Sequence, residues 1–206
     1  MEINTKVGHG PNYAHEQYEL FEKSFLTWEY NTIIRPIFSK VLLVPFDKIN
    51  DKMIKELLYL TLNSTIMENI GRGELWDRNK LMQMLAEEKK DTSDIRSKQY
   101  FSWIVCLPYG TQKVVGYVSL RPMFKTNQWE LGPRDLQIRI FTYPSQGYGT
   151  SIIKKIIKFA SNFDIKLWAI IHSDNAVSIN FFKKLNWKKM GTMKLGGNDN
   201  MVFKYE

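Results

Sequence analysis

The stretch Leu136-Gln137-Ile138-Arg139-Ile140-Phe141-Thr142-Tyr143-Pro144-Ser145-Gln146-Gly147-Tyr148-Gly149-Thr150-Ser151 decides the fold of this chain. Its first seven residues form an apolar run that predicts a buried strand, and its last six form a Gly-rich turn. Residues 152–160, which follow, place apolar pairs one helical turn apart and predict a helix. A strand, a glycine turn and a helix N-terminus predict a phosphate site, because the turn's N–H groups and the positive end of the helix dipole face one anion. The turn alone is weak support, because many such turns contain glycine for backbone reasons.

A second segment follows about one helix later. Residues 166–171 predict another strand, and residues 172–187 come directly after it. The turn reads Gln146-x-x-Gly149-x-Ser151 and resembles the Gln/Arg-x-x-Gly-x-Gly/Ala loop of the GCN5-related N-acetyltransferases (GNAT). The later segment resembles that family's Asn-x-x-Ser/Ala-hydrophobic-x-x-x-x-Lys-x-Gly-Phe pattern, read here as Asn175, Ser178, Ile179, Lys184, Asn186 and Trp187. The two motifs in this order most resemble the branch of ribosomal-protein, spermidine and aminosugar acetyltransferases.

Three positions depart from the family pattern. Ser151 replaces a Gly or Ala but is small enough to fit the loop. Asn186 replaces a Gly, and we expect the turn to survive because Asn tolerates a left-handed backbone. Phe182 stands where many relatives carry a tyrosine thought to protonate the departing thiolate, a role that Phe cannot fill.

The resemblance implies an α/β fold (α+β by some schemes): a single GNAT-like domain with a mixed, mostly antiparallel sheet flanked by helices. We expect this domain over residues 38–206 and an N-terminal arm and helical extension over residues 1–37. In residues 14–30, aromatic side chains recur on one helical face. That face suits packing on the domain's own core or, alternatively, a homodimer or partner surface.

The remaining elements follow from apolar periodicity and turn residues. We expect strands at 38–46, 100–107, 113–123, 135–142, 187–191 and 200–205, and helices at 51–62 and 78–89. Asp51 is the predicted cap of the first helix, and 196–199 the predicted turn between the last two strands.

Composition bounds the class of protein. The chain has 206 residues and no apolar run near the ~20 residues that span a membrane. No signal-peptide pattern opens it, and Cys106, its single cysteine, lies in an apolar run, so we expect an intracellular, cytoplasmic protein with no membrane partner. The net charge of +8 has three possible explanations: a basic groove for an anionic cofactor, a surface that binds nucleic acid, or a lysine-rich surface that is simply solvated. Because no nucleic-acid motif is present, we do not expect that partner.

Acetyl-CoA is the co-substrate that the resemblance implies, and we expect no metal. The loop N–H groups would hold its pyrophosphate, the edge of the strand before the loop would pair with the pantetheine amides, and one strand N–H would polarise the thioester carbonyl. The cofactor-binding residues expected from the resemblance are Ile140, Phe141, Thr142, Gln146, Gly147, Tyr148, Gly149, Thr150, Ser151, Asn175, Phe182 and Lys184.

The candidate general bases are His172, Asp135 and Glu130. Each has a structural alternative: His172 could be satisfied by backbone groups, and the two carboxylates could be solvated loop residues. A water chain could also carry the proton.

The resemblance implies an N-acetyltransferase in which a primary amine attacks acetyl-CoA directly in a ternary complex. The acceptor, a protein amine or a small amine, is left open, and we expect residues 63–76, residues 121–134 and the N-terminal arm to select it. The alternative is a catalytically silent GNAT-fold binding module that uses the basic surface or the N-terminal aromatic helix.

Overall fold

The computed structural model describes residues 40–67, 76–90, 95, 98–108 and 113–206. The predicted arm and helix at 1–37 lie outside these ranges. The described strands are β1 (Leu42–Pro45), β2 (Phe101–Cys106), β3 (Val114–Pro122), β4 (Asp135–Thr142), β5 (Lys166–His172), β6 (Lys188–Leu195) and β7 (Asn198–Lys204). The described helices are α1 (Asp51–Thr61), α2 (Ser64–Met67), α3 (Arg78–Lys90), α4 (Tyr148–Asn162) and α5 (Ala176–Lys184), and Phe46–Lys48 form a 3₁₀ turn.

These described strands form one sheet in the order β1-β2-β3-β4-β5-β7-β6. The β4–β5 pair is parallel, and the other neighbouring pairs are antiparallel. Helix α4 is the crossover that a parallel pair requires. The prediction of a mixed, mostly antiparallel sheet flanked by helices is confirmed.

Aromatic side chains fill the core on both faces of the sheet. On one face, Phe159 of α4 packs edge-on against Phe101 and Trp103 of β2, at centroid distances of 5.1 Å each. On the other face, Tyr117 of β3 packs against Phe46 and Trp76. We call this second face the acceptor face, because Trp76, at the end of the expected acceptor segment 63–76, packs on it.

Local structure differs from the sequence expectation at three places. Asn50, not Asp51, caps α1, because its side chain accepts a hydrogen bond of 2.9 Å from the Met53 N–H. The turn between β6 and β7 is shorter than expected: only Gly196 and Gly197 lie between the strands, both with positive φ. Short helix α2 interrupts the predicted polar segment 63–76, within the part of it that the structure describes.

One conformational expectation is confirmed. Asn186 has a φ of 59° in the turn between α5 and β6. Asn therefore adopts the left-handed backbone conformation at the position where the family pattern has Gly. Of the helices within the described ranges, none combines the length and the apolar character needed to cross a membrane.

Candidate functional site

A gap between β4 and β5 forms the centre of the candidate site. The two strands pair only from Asp135 with Lys166 to Gln137 with Trp168. Beyond this point β4 continues to Thr142 along β3, and β5 continues to His172 along β7. The two strands therefore separate toward their carboxyl ends, and no described strand lies between their facing edges.

The backbone direction on β4 follows from two flanking hydrogen bonds. The Tyr143 N–H donates to the Val115 carbonyl at 3.3 Å, and the Met123 N–H donates to the Asp135 carbonyl at 2.9 Å. Because alternate residues of an antiparallel pair exchange hydrogen bonds, odd-numbered residues of β4 point their backbone groups toward β3. Ile140 and Thr142 therefore point theirs into the gap, whereas the Phe141 backbone is paired with β3. Of the three expected pantetheine-binding residues, the structure leaves Ile140 and Thr142 available.

The glycine turn lies at the open end of this gap. Gly147 is the N-cap of α4, with a left-handed backbone at φ 73°, and no side chain caps the helix. The N–H groups of Tyr148, Gly149 and Thr150 fall in the first helical turn, where no intrahelical carbonyl can accept them. Together with the helix dipole they form a site suited to an anion.

Lys40 is a candidate residue that sequence reasoning missed. A Cβ built on Gly147 would lie 3.1 Å from the Lys40 ammonium nitrogen, so this cation stands beside the turn. Because 107 residues separate the two in sequence, no local pattern indicates the contact.

Helix α5 packs against the turn through Phe181. A Cβ on Gly149 would approach the Phe181 ring to 3.2 Å, so glycine here also permits helix packing. Lys184, which is exposed, lies three residues after Phe181 on the same helical face. Phe182 instead is buried in the core, with its ring 4.8 Å from Trp187 and 6.3 Å from Phe203. The aromatic side chain against the turn is therefore Phe181 and not Phe182.

Asn175 lies where β5 leads into α5, and its side-chain oxygen caps that helix by accepting from the Ser178 N–H at 3.0 Å. Gln146 is exposed in the turn, and Ser151 is half-buried in α4. Because the Asn175 side-chain oxygen is used in this cap, the side-chain N–H groups of Asn175 are the ones that can bind a ligand.

Asp135 is held as a structural carboxylate. One of its oxygens accepts from the Trp168 indole N–H at 2.6 Å and the other accepts from the Gly132 N–H at 2.7 Å. The side chain is buried and lies at the closed end of the gap. These contacts argue against the expected role of general base, because both oxygens already stabilise the fold.

The other two candidate bases lie at different ends of the gap. Glu130 is exposed on the loop that precedes β4, at the closed end. His172 ends β5 at the open end, and its Nδ1 accepts from the Asp174 N–H at 3.4 Å and lies 3.6 Å from the Asp174 carboxylate. The last β4–β5 pair is Gln137 with Trp168, and four residues further along each strand His172 lies level with Phe141. His172 is therefore the candidate base that lies beside the open strand edges.

Cys106 is unsuited to nucleophilic catalysis. It is fully buried in β2, and burial, assisted by the charge of Glu56, raises the pKa of its thiol to about 12. A thiol with this pKa holds its proton at neutral pH, as a structural cysteine does.

A polar patch lies on the acceptor face of β3 and β4. Arg121 donates to the Ser102 hydroxyl at 2.8 Å and to the Tyr117 hydroxyl at 3.4 Å. Gln137 pairs directly across from Arg121, and Arg139 follows Gln137 on the same face of β4. We call Arg121, Gln137 and Arg139 the arginine patch. Sequence reasoning missed it, because Arg139 reads as an ordinary polar residue within an apolar strand.

Comparisons with known proteins agree with this architecture. A model of the GNAT acetyltransferase domain matches residues 41–188. A search of curated protein sequences finds no match. Among solved structures, the chain resembles RimL, a ribosomal L7/L12 alpha-N-protein acetyltransferase in complex with coenzyme A, with TM-score 0.62 and 11% identity over 82% of this chain and 96% of that one.

Two further structures show the same fold. The spermidine N-acetyltransferase from Vibrio cholerae, in complex with CoA and spermine, has TM-score 0.60 and 13% identity over 81% of this chain and 95% of that one. A GNAT-family acetyltransferase from Bacillus anthracis has TM-score 0.59 and 15% identity over 81% and 94%.

The structural similarities, at these low identities, establish the fold, and the domain model, which spans more than half of the sequence, establishes the family. The family resemblance and the acetyltransferase class that it implied are confirmed. This chain belongs to the GNAT family of acetyltransferases.

Proposed function

We propose that this protein transfers the acetyl group of acetyl-CoA to a primary amine by direct attack within a ternary complex. The observation that carries the proposal is the parting of β4 from β5 directly beside the uncapped N-terminus of α4. An open strand edge binds amides and a helix N-terminus binds phosphate, so their junction fits a molecule that contains both. Residues 38–206 form the acetyltransferase domain in this proposal, and residues 1–37 form an N-terminal extension.

The proposed cofactor site follows the gap from its open end inward. The N–H groups of residues 147–150 hold the pyrophosphate, whereas the Ser151 N–H already donates to the Gly147 carbonyl at 3.5 Å. Lys40 and Lys184 add positive charge beside the pyrophosphate. Gln146 adds a side-chain contact to the pyrophosphate, and the amide of Asn175 contacts the pantetheine arm. The open backbone groups of Ile140 and Thr142 bond the pantetheine amides, and Phe181 replaces Phe182 as the aromatic side chain beside the loop.

Acetyl-CoA supplies the acetyl group: the amine nitrogen forms the new C–N bond, the C–S bond breaks, and its electron pair leaves on the sulfur. The Ile140 N–H stabilises the oxygen charge that develops at the thioester carbonyl. His172 takes the proton that the amine loses, directly or through water, because of the three candidates it lies nearest to the open edges.

Thr150→Glu tests the cofactor site without disturbing the helix. A carboxylate in the first turn of α4 interacts favourably with the helix dipole, so the variant should fold, but it repels the pyrophosphate from the same N–H groups. We expect acetyl-CoA to raise the melting temperature of the wild type and to leave that of Thr150→Glu nearly unchanged. The matched control is Ser161→Glu, which adds the same charge near the other end of the helix and should retain the shift.

An equal acetyl-CoA shift in wild type and Thr150→Glu would contradict the proposed site. Binding without release of CoA thiol to any primary amine would instead favour the silent binding module. Screening protein N-termini, lysine peptides, aminosugars and polyamines for thiol release separates these outcomes.

A further inference from the structure

The guanidinium of Arg139 has no counter-charge in the part of the chain that the structure describes. It is exposed on the acceptor face of β4, and no carboxylate of the described residues lies within salt-bridge distance of it. It directly precedes Ile140, whose backbone points into the gap between β4 and β5. The positive charge of Arg139 therefore lies one residue before Ile140, whose N–H we propose to contact the thioester carbonyl.

The surroundings of Arg139 disfavour its own charge. Partial burial lowers the pKa of the guanidinium, and the positive charge of Arg121 lowers this pKa further, against a smaller opposing effect of Tyr117. Arg121 is itself held on this face by the Ser102 and Tyr117 hydroxyls. An anion bound between the two guanidiniums would relieve the repulsion and replace the lost hydration.

Gln137 gives an independent sign that the patch accepts a ligand. The residue is only 6% exposed, and its amide oxygen has no hydrogen-bond partner among the residues that the structure describes. Buried polar atoms are nearly always paired, so an unpaired acceptor needs a donor from elsewhere. This oxygen lies at the closed end of the gap, two residues from Arg139 and on the same face.

We propose that the acceptor is a small amine that also carries an anionic group, a carboxylate or a phosphate, and that Arg139 binds this group while Gln137 accepts a hydrogen bond from the ligand. The inference rests on the proposed acetyl transfer and adds the substrate class. Arg139 sets specificity and takes no part in bond making, whereas the amine displaces CoA thiolate as described above.

The test uses pairs of amines that differ only in the anionic group: glycine against glycinamide, and phosphoethanolamine against ethanolamine. Release of CoA thiol gives kcat/KM for each. We expect the anionic member of at least one pair to be preferred by about ten- to hundredfold, as a charge-assisted hydrogen bond allows. The pair that shows the preference distinguishes carboxylate from phosphate.

Arg139→Gln should reduce this preference to about one, mainly by raising KM for the anionic amine, and Arg139→Lys should keep part of it. The matched control is Lys194→Gln, which removes an exposed cation from β6 and should leave the preference intact. A merely structural role of Arg139 would lower kcat/KM for both members of a pair alike.

Equal use of both members by the wild type would overturn this inference while leaving acetyl transfer standing. If no amine of the panel is acetylated, calorimetric titration of the acetyl-CoA complex with glycine and phosphoethanolamine decides, and absence of binding by both also overturns it. Failure of the proposed function itself is recognised separately, by the absence of an acetyl-CoA thermal shift in the wild type.

Discussion

At the residue scale, the carboxylate of Asp135 shows how a side chain suited to catalysis can be committed to the fold. It joins the first residue of β4 to Trp168 of β5 and to the loop at Gly132. Because this hydrogen bond ties β4 to Trp168, which belongs to the last β4–β5 pair, it fixes the closed end of the gap.

Asp135→Asn should therefore lower stability more than it lowers activity. The asparagine keeps one acceptor for the Trp168 indole but presents an N–H donor to the Gly132 N–H, which loses its partner. We expect a loss of about 1–3 kcal/mol in the free energy of unfolding, measured by urea denaturation, with kcat changed less than about threefold. Glu130→Gln, at an exposed position on the loop that precedes β4, serves as the control for stability. A kcat loss of about a hundredfold or more in a folded Asp135→Asn protein would restore the role of general base.

At the element scale, the two edges of β4 differ: one is hydrogen-bonded to β3 along the strand, and the other is open beyond Gln137. Its odd-numbered residues bond to β3, and beyond Gln137 its even-numbered residues face the gap. Gly116 on β3 permits the close approach of the two strands, since a Cβ there would lie 2.5 Å from the Phe141 carbonyl oxygen. The strand is thus held firmly along one edge while the other remains available to a ligand.

Hydrogen exchange should report this division residue by residue. In the free protein we expect rapid exchange at the Ile140 and Thr142 amides and slow exchange at Arg139 and Phe141, whose amides bond to β3. Saturating acetyl-CoA should slow exchange at Ile140 and Thr142, with Arg139 and Phe141 as internal controls. Unchanged exchange at both gap-facing amides in a protein that binds acetyl-CoA would place the pantetheine elsewhere.

At the scale of the whole molecule, a net charge of +8 leaves some cations in unfavourable surroundings. Lys155 of α4 is only 8% exposed, and burial, assisted by the charge of Lys158, lowers the pKa of its ammonium to about 8. The unfolded chain holds that proton up to pH 10.5. Between these values the unfolded state binds more protons, so this group makes the fold more stable as pH rises.

Lys155→Met should consequently stabilise the protein at pH 7 by roughly 1–3 kcal/mol, because it removes the need to bury a charge. The gain should shrink between pH 8 and pH 10.5, where the folded wild type already holds the neutral amine. Chemical denaturation at several pH values measures this, with Lys154→Met, at an exposed neighbouring position, as control. A gain independent of pH would show that apolar packing and not charge is responsible.

Sequence alone predicted the order of the elements apart from the short helix α2, the helix N-terminus after the glycine turn and the left-handed backbone at Asn186, because these depend on residues that lie close together along the chain. It did not predict that Lys40 lies beside Gly147. It also did not predict that Phe181, and not Phe182, packs against the loop. Both contacts depend on packing between distant elements. It likewise missed the use of Asp135 in the fold and the arginine patch. The tertiary structure decided these points because strand register and helix packing determine which side chains meet, and the ending of the β4–β5 pairing after Gln137 and Trp168 opens the gap around which they lie.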